Sequence, residues 1–500
     1  MTSSVIRDSF RLANLKKFMT SLSDYSVGNP AKETLYIGIG RPQYWDVATV
    51  PNNDAVELES ALYSAKNTLA SEKFDREDLM SLKKVNPSDI SHGILKEVWT
   101  AGKKYDTYRH DWDGTIQSVY DNSFPASLSS VKYVVINNAY DVYICIKQGK
   151  TGSVVNPSIY SPETGVPVGT NTGVLKTADG YYWKFMSKTD GSDIATFTSI
   201  THHPVKTLKT APTNTSVYYT QWTSQLNSQN FKSGIYVINI TNGGSGYNGG
   251  SAGIRVVTDA ENDAQFRVIG DGTGMQYSVS YGSGGSINDI EITNPGTGYT
   301  HAVIQAIDGA GATFDIIYTP STGLGADPVK DTSALYFLCS ISLQSDEGGK
   351  FTVKNDYRKV YLVSNPFNYG TSVISTASTL SAYFTFTLDT IVGGSNAFKA
   401  DDIITGSSSG AKARVIDFDG VNKLRVIRTS TENLGLVGAN NNFLVGETLS
   451  TTGGAGTGVI SIITLPDMDK SSGEIIYSEY RGAILRQPGQ TEVVKCIVEF

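Results

Sequence analysis

The stretch INITNGGSGY, residues 238–247, returns 52 positions later as IEITNPGTGY, residues 290–299. Each copy opens on an apolar alternation, passes through Asn and a glycine turn, and closes on Tyr. The first copy also contains Gly244-x-Gly246-x-x-Gly249, the spacing of a dinucleotide-binding fingerprint. In the second copy Pro295 stands where Gly243 stood and His301 replaces the third glycine, so the repeated unit is strand, turn and tyrosine. The run after the first copy, SAGIRVVTD (residues 251–259), alternates as a strand does. It supplies no amphipathic helix whose N-terminus would hold a pyrophosphate. The stretch therefore marks a duplicated β module, in which Asn242 and the glycines supply positive-φ positions that reverse the strand and Tyr247 packs back on it.

A second duplication sits further on. FKADDIITG (398–406) is echoed 45 positions later by FLVGETLST (443–451), each leading through a Gly/Ser/Thr turn into another strand-like run, AKARVI or TGVISI. Two copies are too few for a solenoid, so both repeats predict small β modules built from duplicated hairpin units. Around them the chain is punctuated by short β-branched and aromatic runs, among them KYVVI, DVYICIK, YYWKFM, DYRKVYLV, AYFTFTL and EVVKCIVEF. Helical spacing is confined to the start: Val5, Leu12, Leu15 and Met19, then Leu58, Leu62, Ala65 and Leu69 after an Asp54-x-x-Glu57 capping box. The fold class expected is mainly β with an α+β N-terminal part, multidomain, with antiparallel sheets or sandwiches plus inserted small β modules.

Composition narrows the function classes. Five hundred residues suffice for several cores, and Gly at one residue in ten exceeds the usual ~7% while charge at 18% falls below the usual ~25%. A net charge of -7 gives no general attraction to nucleic acid or anionic lipid. The N-terminal residues mix charge into every turn, and no run of about 18 apolar residues occurs, so neither a secretion signal nor membrane insertion is expected. Cys145, Cys339 and Cys496 lie far apart in apolar runs and read as buried free thiols, which suits a reducing cytoplasm.

Candidate chemistry reads as structure. The GKT at 149–151 lacks the earlier glycine of a P-loop, since position 144 is Ile, and is expected to be a polar turn. RHDWDG (109–114) gathers His110, Asp111 and Asp113, but an extended chain sends His110 to the opposite face, which predicts a turn of solvated charges with Trp112 buried. His202 and His203 point to opposite sides and read as loop residues. No Gly-x-Ser-x-Gly elbow is written between a strand and a helix, and the 28 tyrosines read as amphipathic filler of sheets and interfaces. No catalytic, cofactor-binding or metal-ligating residue is assigned, and the chain is expected not to be an enzyme.

Four stretches carry a family resemblance. ETLYIGIGRPQYW (33–45), DGYYWKFM (179–186), DYRKVYLVSNP (356–366) and the C-terminal SSGEIIYSEYRGAILRQPGQTEVVKCIVEF (471–500) occur in one order. That order resembles the baseplate wedge subunit of T-even-type contractile-tailed phages, the gene product 8 family. The resemblance covers a little over half the chain, and the two duplicated modules lie outside it.

The resemblance implies a structural virion protein of the tail baseplate, assembled in the bacterial host cytoplasm. It would form a homodimer within the wedge and join the other wedge subunits to peripheral fibre-attachment proteins. The expected domains are 1–90 with 334–374 and 466–500 as a discontinuous α+β core, a β domain at 91–233, and inserted modules at 234–330 and 375–465. Trp45 and Trp183 read as core anchors, while Arg41 and Arg481 read as members of local salt bridges or, in the sharper alternative, as contacts to another subunit. A virion-surface receptor or glycan-binding protein, with the modules as binding units, is the alternative, and a polysaccharide-degrading enzyme is a third reading.

Overall fold

A computed structural model describes residues 6–23, 33–41, 68–151, 154–162, 173–353, 356–428, 442–451 and 456–500. The expected helix around Leu58 and the anchor Trp45 lie outside them. The protein is mostly β with antiparallel sheets, and the chain divides into two compact units, residues 1–18 with 90–339 and 496–500, and residues 19–89 with 340–495. The helix Asp8–Ser23 follows the three-residue spacing read from the sequence, with Leu12 and Leu15 both buried.

In the first unit a four-stranded antiparallel sheet joins Val134–Ile136, Val142–Lys147, Tyr182–Ser187 and Val174–Lys176 in that order. Its middle strands read as near-continuous apolar runs because both faces are covered. Tyr143, Cys145, Trp183 and Phe185 fill one core, and Val142, Ile144, Ile146, Tyr182 and Met186 fill another. Trp183 is fully buried and stacks on Tyr181 with ring centroids 5.6 Å apart, as an anchor should.

In the first module the two copies pair with each other as well as within themselves. The opening strand of copy one, Ile235–Ser245, pairs with the closing strand of copy two, Ala310–Tyr318. Conversely, Ile287–Thr297 of copy two pairs with Thr273–Tyr281 of copy one. The two ladders share one register: Ile240 faces Phe314 as Ile292 faces Tyr277, with a bulge beside each pair. Duplicated strands thus exchange partners, and the edges that one copy would expose are covered by the other.

The glycine turns explain the repeated motif. Asn242 Oδ1 accepts the Gly244 N–H at 2.9 Å, and Asn294 Oδ1 accepts the Gly296 N–H at 3.0 Å. Gly244 and Gly296 both have positive φ, 60° and 64°. A Cβ on Gly244 would stand 2.4 Å from the Ala310 carbonyl oxygen and 2.9 Å from the Tyr247 ring. On Gly296 it would meet the Thr273 oxygen at 2.6 Å and the Tyr299 ring at 2.8 Å. Tyr247 and Tyr299 are both buried, packed against these glycines. The chain does not reverse at Asn242 itself, because the strand runs on to Ser245 and turns at residues 247–250.

The second unit holds a five-stranded antiparallel sheet in the order Thr379–Ser381, Leu79–Lys84, Leu35–Gly40, Asp356–Ser364, Glu474–Leu485. It also holds a closed six-stranded barrel running through Phe384–Val392, Lys423–Ile427, Lys412–Phe418, Ile403–Gly406, Thr448–Thr451 and Thr457–Thr464. Here too the repeats interlock, as Ile404 of copy one pairs with Thr451 of copy two. Phe386, Leu388, Ile404, Val415, Leu449 and Ile460 fill the interior. The same carboxylate cap recurs 45 positions apart: Asp402 accepts the Lys399 N–H at 3.0 Å and Glu447 the Leu444 N–H at 2.7 Å.

Glycine substitutions test the turn. Gly244→Ala or Gly296→Ala combines a positive φ with a backbone collision and should each destabilise the protein by on the order of 3 kcal/mol. Gly249→Ala has φ 61° but open space around it, and should lose only about 1 kcal/mol. Urea unfolding of the three variants reads the difference; equal losses would show that the glycine–tyrosine packing is unimportant.

Candidate functional site

The structure places the sequence candidates in supporting roles. Arg109 holds Asp111 through two hydrogen bonds of 2.9 and 2.7 Å and also pairs with Asp315 of the first module at 2.8 Å. His110 Nδ1 accepts the backbone N–H of Tyr318 at 3.3 Å, and Asp113 accepts the Thr115 N–H at 2.9 Å. Trp112 is buried and donates to the Thr107 carbonyl. RHDWDG is thus the loop against which the first module is fastened, and Lys176 reaches Glu291 at 3.0 Å to fasten it again.

His202 and His203 belong to a strand, His202–Val205, rather than to a loop; it pairs with residues 92–95 as the edge of its sheet, where Pro204 lacks only an outward N–H. Their side chains do point oppositely. His203 is fully buried between Thr189 Oγ1 at 2.9 Å and Thr198 Oγ1 at 3.1 Å. Burial, helped by the Lys96 charge, lowers its pKa to about 4, so it stays neutral. Lys150 and Thr151 of the GKT form a short hairpin strand with Val154 and Val155. All three cysteines are buried free thiols. Among the described residues, no group of three His, Cys, Asp or Glu side chains is placed to hold a metal ion, and no helix is long and apolar enough to cross a membrane.

Arg41 and Arg481 are both held in salt bridges within the chain, Arg481 locally and Arg41 over a long sequence distance. Arg41 bridges Asp356 at 2.9 Å and Asp401 at 2.8 Å, tying the end of its strand to the residues just before the barrel strand Ile403–Gly406, and Arg481 meets Glu479 at 3.2 Å.

Two buried lysines stand out that sequence reasoning passed over. Lys184 lies in the middle of the strand Tyr182–Ser187, whose six residues are all buried. It donates to Ser228 Oγ at 3.1 Å and lies 5.5 Å from the Tyr236 ring centre. Burial lowers its pKa to about 7, against the opposing pull of Asp331. Asp331, also fully enclosed, is raised by burial to about 7 although its Oδ2 accepts the Gly325 N–H at 2.6 Å. Among the described residues, Asp331 Oδ1, Ser224 Oγ and Tyr236 Oη have no hydrogen-bond partner. An acid and a base matched near neutrality occur at many active sites, but here both are sealed into the core.

Lys359, in the second unit, is 2% exposed and sits between Asp75 at 2.9 Å and Asp78 at 2.5 Å. Tyr480 donates to Asp75 at 2.8 Å and lays its ring 4.4 Å from the ammonium. The sequence marks them only as cations in strand-like runs, Lys184 alone in YYWKFM and Lys359 beside Arg358 in DYRKVYLV. No protein-family model matches the chain, and no curated protein matches it.

The Lys184 and Asp331 pair makes stability depend on pH with opposite signs. Asp331 ionises in the unfolded chain near pH 4 but in the folded protein only near 7, so its contribution fades as pH rises across that window. Lys184 takes up its proton in the unfolded chain near pH 10 but in the folded protein only near 7, so stability falls as pH drops across that second window. Relative to Asp331→Asn, the wild type should lose on the order of 2 kcal/mol between pH 5 and 7. Relative to Lys184→Met it should gain between pH 7 and 9. Urea midpoints at these pH values test both limbs, and parallel curves would refute the assignment.

Proposed function

We propose that this chain is a non-enzymatic structural subunit of a phage tail baseplate wedge, acting as a homodimer between inner wedge subunits and peripheral fibre-attachment proteins. The observation that supports this reading most is where the resembling stretches fall. Leu35–Gly40, Asp356–Ser364 and Glu474–Leu485, far apart in sequence, are consecutive neighbours in one sheet, and the fourth, Tyr182–Ser187, is a central strand of another. Three of the resembling stretches thus meet in one sheet, where Leu35–Gly40 and Asp356–Ser364 are buried and Glu474–Leu485 forms the edge.

The charges also suit a mechanical part. Arg41, Arg109 and Lys359 are all taken up in ion pairs that fasten one piece of chain to another. Such pairs fix geometry while leaving broad polar surfaces for partner subunits.

The glycan-binding alternative has less to rest on in the first module. Sugar platforms use exposed aromatic rings, yet Tyr247, Tyr277, Tyr281 and Tyr299 are all buried. The exposed large apolar side chains there are aliphatic, including Ile254, Val256, Ile269 and Val303, which suits contact with protein.

Quantitative mass spectrometry of virions and of tail-assembly intermediates should find this chain in constant ratio to the other wedge subunits. Its absence from both would reject the proposal. On a glycan array the intact protein should show no selective retention; selective binding lost on substitution within residues 234–330 would favour the receptor-binding reading instead.

A further inference from the structure

The Lys359 cluster brings together the parts of an amide-forming reaction. A buried amine lies within hydrogen-bond distance of two buried carboxylates, Asp75 and Asp78, whose side chains are 5% and 6% exposed. Tyr480 fixes Asp75 through its hydroxyl. On the Lys359 strand, two residues along, Tyr361 is fully buried, and among the described residues its hydroxyl has no hydrogen-bond partner. Gly40 leaves the space beside it: a Cβ there would stand 2.8 Å from Tyr361 Oη and 2.7 Å from the Asp78 carbonyl oxygen.

We infer that Lys359 and Asp78 condense to an intramolecular amide, with Asp75 as proton carrier. Asp75 takes a proton from the ammonium along the existing hydrogen bond, leaving a neutral amine. Lys359 Nζ attacks Asp78 Cγ, and negative charge gathers on the Asp78 oxygens. Asp75 returns its proton to the departing Asp78 oxygen, the attacking nitrogen gives up a second proton to that same oxygen, the C–O bond breaks, and one water leaves. The ammonium and carboxylate have become an amide plus water, so atoms and charge balance without an oxidant, metal or cofactor. Burial alone would lower the Lys359 pKa, but the two carboxylates outweigh it and hold the amine protonated at the start. The local transfer to Asp75 is therefore the step that creates the nucleophile.

The chemistry is favoured by position. Lys359 Nζ is already hydrogen-bonded to the Asp78 carboxylate, which replaces a bimolecular encounter with an effectively unimolecular one. The product would join residues 281 positions apart in sequence and lock the strand Asp356–Ser364 to the start of Leu79–Lys84. A permanent link at that point suits a part that must bear load, but it rests on the geometry of the cluster whatever the protein's role.

Peptide mapping of the denatured full-length protein decides the matter. The wild type should weigh one water less than its sequence, and trypsin should release fragment 77–83 joined to the fragment that begins at Lys359. Asp75→Asn should reduce the linked fraction by at least tenfold, and Lys359→Arg should abolish it. On a denaturing gel the wild type should run faster than either variant, because its closed loop stays compact. An unlinked Lys359 fragment in the wild type, a link to fragment 74–76 instead, or full linkage in Asp75→Asn would each overturn the inference. The wild-type map answers even if a variant fails to fold.

Discussion

The antiparallel pairing of Leu35–Gly40 with Asp356–Ser364 is the constraint on which the second unit depends. Its mouth is closed by the Asn365 side chain on the Thr34 N–H, 331 positions apart in sequence. Closing so long a loop loses chain entropy before any contact repays it, although the loss grows only slowly with length. The repayment comes from the strands themselves, which are buried along their whole length: all six residues of Leu35–Gly40 lie in the core, and eight of the nine from Asp356 to Ser364 do as well. Once the pair forms, Leu79–Lys84 adds on one side and Glu474–Leu485 on the other.

The duplicated modules solve a different problem. A short, glycine-rich hairpin has too little core to stand alone and leaves two unpaired edges. Both modules remove that weakness by pairing strands between copies as well as within them, as a crossed pair of ladders in the first and as a closed barrel in the second. The glycines serve close approach more than flexibility. Gly309 and Gly272, 37 positions apart, lie against the rings of Tyr247 and Tyr299 in equivalent places, so each tyrosine is seated by a glycine of the other copy. A glycine motif that resembles a phosphate cradle is therefore a socket for an aromatic ring.

Charge obeys the same logic of fastening. Arg109 reaches Asp315, Arg41 reaches Asp401, and Lys359 sits between Asp75 and Asp78, each joining segments that no local rule brings together. Such partly or wholly desolvated pairs contribute little net stability over apolar packing, yet breaking one partner is costly, so they specify arrangement. A chain with an overall charge of -7 thus invests several of its cations in its own architecture.

The sequence by itself determined the local alphabet: a mainly β chain, a helix at Leu12 and Leu15, two duplications, buried cysteines, and a buried Trp112 and Trp183. These arise from side-chain periodicity and backbone permissiveness, which act over a few residues. Only the tertiary structure decided that the repeats exchange strands, that His202 and His203 lie in an edge strand, and that Lys184 and Lys359 are enclosed beside carboxylates. Alternation along a strand says which residues share a face, but it is blind to which distant strand supplies the partner. A lysine in an apolar run reads the same whether it reaches solvent or an aspartate hundreds of residues away.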